Sequence, residues 1–245
     1  MVRFPARLTA KLSRARIAQI FNFAPPGPLL HFVNPEEVLH AGAVAPVSRD
    51  KMRALLENSA PVIWIGGNEP LVHSGIGHFV RAFAQSGHCV FLETDGIALR
   101  RRIHEFQPTR ELFLTVRLDS LETPDSAFTL EGLRAARLSG FFTAIHSRIH
   151  EDWDQEQFTA LRSLVAEKGV DGWLITAAST GEAVRHMAGE AREMIRSSFW
   201  RQFSEHVEEA LLSQAPSGEL QAEGASPFIP QDVHTGAGEE SVRIA

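Results

Sequence analysis

Six short apolar runs, each followed by residues with helical spacing, constrain this chain more than any other feature. LLHFV (29–33), PVIWIGG (61–67), HCVFLET (88–94), ELFLTVRLD (111–119), FFTAIHSRI (141–149) and VDGWLITAAS (170–179) read as strands. Continuous runs such as PVIWIGG are expected where helices cover both faces of a sheet. Between the runs, DKMRALLEN (50–58), IALRRRIHEF (97–106), LEGLRAARL (130–138) and QEQFTALRSLVAEK (155–168) read as helices. Ile76, Phe79, Val80 and Phe83 recur at i, i+3, i+4 and i+7, one apolar stripe of a helix. Gly87 and Gly169 suit C-terminal caps. A long helix or a helix pair, from about Gly181 to Leu212, closes the domain. Each helix has the length of a parallel crossover, which leaves an open doubly wound sheet or a barrel-like parallel sheet. In either, ligands collect at the carboxyl ends of the strands.

Outside this core the chain divides simply. Residues 1–27 read as a basic helix and a Pro-rich linker, 28–213 as the α/β domain, and 214–245 as a disordered tail. That tail is rich in Gly, Pro, Ser, Ala and Glu and has few large apolar groups with which to offset the entropy of ordering. Residues 1–22 hold five basic groups and no acidic one, whereas the whole chain carries a net charge of −6. An acidic body argues against a nucleic-acid partner. The basic start suits anionic lipid or a protein partner. Leu8, Leu12, Ile17, Ile20 and Phe21 do not share one clean face, which favours a helix docked on the domain over membrane contact. No apolar run has the length of a membrane span, and the start lacks the pattern of a secretory signal, so a cytoplasmic location is expected. The single cysteine, Cys89, excludes an internal disulfide and any multi-cysteine metal or iron–sulfur site within the sequence.

The most informative short motif is Gly66-Gly67-Asn68-Glu69-Pro70-Leu71, at the end of the second run. It resembles the GGEPL segment of radical S-adenosylmethionine (SAM) enzymes. Later signals come in the same order: a helix over 74–86, a strand ending Glu93-Thr94-Asp95-Gly96, a strand ending Leu118-Asp119-Ser120, and GVDGWLI (169–175) as the last core strand. The likeness covers roughly residues 28–180 and is nearest to the hopanoid-biosynthesis and SPASM-like members. It implies a (β/α)6 partial TIM barrel with parallel strands. It also implies that Gly66, Gly67, Asn68, Glu69 and Pro70 line the site for the methionine part of SAM, with Glu93, Asp95 and Asp119 in the adjoining loops. Asn68 departs from the family pattern. The competing reading of the motif is purely local, with the glycines making the turn and Glu69 capping the next helix.

The first loop departs further. Family members carry CxxxCxxC there to hold a [4Fe–4S] cluster, but HFVNPEEVLHAGAVAPVSRD (31–50) has no cysteine. The sequence therefore points to a radical-SAM-like protein without the cluster: a non-redox pseudoenzyme, or a partner subunit of a complete homologue, with a residual pocket for SAM or a nucleoside. The alternative is a metal-dependent enzyme. It would use Glu69, Glu93, Asp95 and Asp119 with His31, His40, His73, His146 and His150, donors that suit Zn, Fe or Mn but that lack a tight ligand motif. Glu93, ending a strand, must be hydrogen-bonded or hydrated, and Arg117 and Asp119 are spaced to form an ion pair on one strand face.

Overall fold

The computed structural model describes residues 5–21, 27–35 and 49–214. The linker residues 22–26, His40 and the tail from 215 lie outside the described residues. Six strands form one all-parallel sheet in chain order: β1 (Leu30–Val33), β2 (Val62–Ile65), β3 (Cys89–Thr94), β4 (Leu112–Arg117), β5 (Phe142–Ile149) and β6 (Gly172–Ala177). The helices are α1 (Ala6–Ile20), α2 (Arg49–Leu56), α3 (Ile76–Gln85), α4 (Leu99–Arg102), α5 (Ser126–Leu138), α6 (Gln155–Lys168), α7 (Glu182–Arg192) and α8 (Ser198–Gln214). The sheet curves into a half-barrel. Trp64 on β2 lies edge-on to His146 on β5 at 5.5 Å although two strands separate them, which a flat sheet does not allow.

The two faces of the half-barrel differ in chemistry. Trp64, Phe91, Phe113 and Phe142 are register neighbours on four successive strands. Their rings stack in a row at 5.4, 4.5 and 5.1 Å, each stack adding about 0.5–1.5 kcal/mol beyond area burial. That row fills the lumen from below. The period of two then places Glu93, Thr115, His146 and Thr176 on the same inner face, nearer the carboxyl ends. The outer face is aliphatic and is covered by helices, with Phe158 of α6 stacked on Trp173 at 5.0 Å. The expected glycine caps are present, with φ of 96° at Gly87 and 59° at Gly169; at the start of α6, Asp154 accepts the Gln157 N–H at 2.7 Å.

The closing segment is a pair of helices, and the second has a special place. α8 packs along β6 and reaches β1, so it joins the two edge strands. Ser204 Oγ accepts the Ile175 N–H at 3.2 Å, and Glu208 Oε2 accepts the Ala177 N–H at 2.6 Å. These are backbone donors on the open edge of β6, which would otherwise template a further strand. Trp200 lies flat on Gly172, where an added Cβ would sit 2.5 Å from the ring. Phe203 reaches Phe91 at 5.1 Å.

Two local expectations need correction. The helix expected over 97–106 is only α4 and a 3-10 turn (Ile103–Glu105). Arg102 folds this segment back, donating to both Glu105 oxygens at 2.6 Å and to the His73 carbonyl at 3.0 Å. The helix expected from 130 begins at Ser126 instead. The first half of α1 is docked as expected: Leu8 is buried, Arg7 pairs with Glu111 at 2.6 Å, and Lys11 donates to the Gly87 carbonyl. Ile17, Ile20 and Phe21 at its end are exposed. Among the described residues no helix is long and apolar enough to cross a membrane.

Candidate functional site at the barrel mouth

The strand β2 ends in a turn that only glycine fits. Gly67 adopts φ 113°, the left-handed region, and an added Cβ there would meet Asn34 Oδ1 at 2.9 Å. A Cβ on Gly66 would meet Glu93 Oε2 at 2.7 Å. The pair of glycines therefore lets the turn close over the side chains of β1 and β3.

Glu69, two residues on, is a knot between loops. Its Oε1 accepts the Leu71 N–H at 2.9 Å and the Thr94 hydroxyl at 2.7 Å, and its Oε2 accepts the Asp95 N–H at 2.7 Å. One carboxylate thus caps the 3-10 turn Pro70–Val72 and ties the loop after β2 to the loop after β3. Burial pushes its pKa up, the neighbouring Asp95 charge adds to that, and the three bonds offset only part of it. Arg117 lies 3.6 Å away and donates to the Gly67 and Asn68 carbonyls at 2.7 and 3.0 Å, clamping the turn from β4. Asp95 holds its own loop, with Oδ1 accepting the Ile97 N–H at 2.8 Å.

Asp119 belongs to a second knot. Its oxygens accept the Arg148 N–H at 2.8 Å and the Arg148 guanidinium at 2.8 and 3.1 Å, and His150 lies 3.6 Å away. Burial alone would raise its pKa; the His150 and Arg148 contacts overcome that and hold it well below the usual carboxylate range. The ion pair expected between Arg117 and Asp119 is therefore not formed. β4 ends at Arg117, the face alternation lapses beyond it, and each residue takes a partner from another segment.

Beneath the mouth, Glu93 is buried among side chains that sequence spacing does not assemble. Trp64 Nε1 donates to its Oε2 at 3.0 Å, and His146 Nδ1 meets its Oε1 at 2.7 Å. A carboxylate can only accept, so Nδ1 carries the proton. His146 Nε2 lies 2.8 Å from the Thr176 hydroxyl. Burial would raise the Glu93 pKa, but His146, Arg117 and Trp64 together bring it down to about 2. His146, named from the sequence as a candidate metal donor, lies on the inner face with Phe142, Ala144 and Arg148, alternate residues of β5, and its partner there is Glu93.

Gly66, Gly67, Asn68, Glu69, Pro70 and Asp95 thus converge at one edge of the mouth. Glu93 forms part of the floor, and Asp119 sits beyond Arg117. His31, a candidate donor in the metal reading, is the second residue of β1 and so lies short of the mouth, and burial lowers its pKa. Cys89 is the first residue of β3, 1 % exposed, at the opposite end from the mouth. Among the described residues no three His, Cys, Asp or Glu side chains are grouped to hold a metal ion.

No protein-family model matches the chain, and no curated protein does. Solved structures do. The fold is radical-SAM-like. SuiB from Streptococcus suis bound to the precursor peptide SuiA aligns at TM-score 0.50 and 13 % identity, over 81 % of this chain and 49 % of that one. SuiB bound to S-adenosylmethionine aligns at TM-score 0.49 and 14 % identity, over 69 % of this chain and 44 % of that one. Archaeal TYW1 aligns at TM-score 0.43 and 15 % identity, over 63 % of this chain and 59 % of that one. The chain spans about half the length of these radical-SAM-like structures, and at such identity the likeness concerns the fold alone.

Proposed function

We propose that the chain is a radical-SAM-like protein that works without an iron–sulfur cluster, as a non-redox pseudoenzyme or as the partner subunit of a complete homologue. The observation that carries this reading is the place of the only cysteine. A [4Fe–4S] cluster needs several thiolates at one point. Cys89 is single, buried in apolar surroundings that raise its pKa, and about 17 Å of strand from the mouth. The residues present do not fit the cluster, and no electron-transfer step is assigned to the chain.

In this reading the mouth keeps a site for SAM or a related nucleoside, on the edge formed by Gly66, Gly67, Asn68, Glu69 and Pro70, with Asp95 and Asp119 in the flanking loops. Glu93 supports that edge from below. The support is the motif likeness together with the radical-SAM-like fold. The peptide-bound neighbour supports a protein partner.

Two measurements test the proposal on the full chain. Calorimetric titration with SAM should give saturable binding. Anaerobic reconstitution with iron and sulfide should leave no stoichiometric cluster, and reductant should release no 5′-deoxyadenosine. A stoichiometric cluster would overturn the loss of redox chemistry, and absence of SAM binding would overturn the nucleoside site.

A further inference from the structure

The base of the half-barrel, opposite the mouth, is crossed by α1. Arg7 reaches Glu111, just before β4, and Lys11 donates to the Gly87 carbonyl, just before β3. Gln19 Nε2 donates to the Gly27 carbonyl at 2.7 Å, ahead of β1. The helix is thus fixed from start to end beneath the amino ends of the strands, with Leu8 buried on its docked side.

Its opposite side is apolar as well. Ile17 follows Leu8 by nine residues, which places it about 180° around the helix. Ile17 and Ile20 are 53 % and 68 % exposed, and Phe21 at the helix end is 64 % exposed. Arg14 and Arg16 flank this strip, one on each side, and both are exposed. Neither has an ion-pair or hydrogen-bond partner among the described residues. No acidic residue occurs in residues 1–22 to neutralise them. The apolar residues of α1 fail to share one face because they serve two, one docked on the barrel and one turned outward.

An apolar strip edged by two arginines is the pattern of an interfacial helix. The apolar side chains enter the acyl boundary, while the arginines keep their charge among the headgroups. Those headgroups have to be anionic, because a neutral apolar partner would desolvate two guanidiniums without a counter-charge. The other end of the molecule repels such a surface. The mouth loops 66–75, 95–98, 118–125 and 150–154 contain acidic residues but no lysine or arginine.

We infer that the outward face of α1 docks on an anionic lipid surface, with the barrel mouth turned away from it. The inference is independent of the role proposed for the mouth.

The test is co-sedimentation of the full chain with vesicles of equimolar phosphatidylserine and phosphatidylcholine, against vesicles of phosphatidylcholine alone. Binding should be saturable on the anionic vesicles, absent on the neutral ones and weakened by salt. Ile17→Ser with Ile20→Ser, both on an exposed face, should keep the melting temperature and weaken binding at least about tenfold. Arg14→Gln with Arg16→Gln should do the same, by about tenfold. Arg100→Gln, beside the mouth, should leave binding unchanged. No binding to anionic vesicles, equal binding to neutral ones, full retention in the double isoleucine variant, or equal loss in Arg100→Gln would each overturn the inference. A dimer that the isoleucine variant dissolves would assign the face to a second copy of the chain and overturn it too.

Discussion

Glu93 and His146 stand two strands apart, yet their side chains meet at 2.7 Å inside the half-barrel. The contact is made by sheet curvature, and it leaves a charge-bearing pair where both residues are almost wholly buried. Its energetics are therefore legible in acid.

Glu93 has a pKa lowered to about 2 from its usual value of 4.5, so it contributes stability above its unfolded value that is lost as the pH falls toward 2. Glu93→Gln should remove about 3 kcal/mol at neutral pH and flatten the acid limb between pH 5 and 2. Urea unfolding across that range measures both, and an unaltered limb would refute the assignment.

Glu69 should behave in the opposite sense. Its pKa is raised, so folding favours the protonated form, and the associated stability is complete below its usual value and lost as the pH rises through the raised one. Glu69→Gln should abolish that decline while leaving the Asp95 N–H unpaired, at a cost of about 1–3 kcal/mol. Stability measured at pH 4 and at pH 8 separates the two effects.

The alternation of strands and helices, their parallel order and the caps at Gly87 and Gly169 are all readable, because each is a local pattern repeated along the chain. The placement of GGNEP at the carboxyl end of β2 is readable for the same reason. The pairings are not. Arg117 takes the Gly67 and Asn68 carbonyls, and Asp119 takes Arg148, because loops from different strands converge at the mouth in ways that spacing within one strand does not encode. Glu93 reads like a ligand because its partners are 29 and 53 residues away. The short α4 is likewise set by a long-range bond, from Arg102 to His73.

Arg192 and Glu208 form a buried ion pair between α7 and α8, with both guanidinium contacts at 3.0 Å. Arg192→Met removes the close cation from a buried carboxylate, leaving it the Ala177 N–H and Arg185 at 3.9 Å, and should cost about 3 kcal/mol. The double variant Arg192→Met with Glu208→Gln should cost less than the sum of the single ones, since Gln still accepts from Ala177. A double-mutant cycle by chemical denaturation measures the coupling, and strict additivity would argue against it.

Gly172→Ala should destabilise by about 1–3 kcal/mol, because Trp200 has to move off its seat. Hydrogen exchange at the Ile175 and Ala177 amides should accelerate with it, since α8 supplies the acceptors for both.

The reach of α8 from β6 to β1 has a consequence for synthesis at the ribosome. Residues 172–177 leave the exit tunnel before their covering helix does, so the newborn sheet spends an interval with a bare flank able to recruit a neighbouring polypeptide. The middle turns of α8, from Ser204 to Glu208, end that interval, and premature termination before Ser204 would make it permanent.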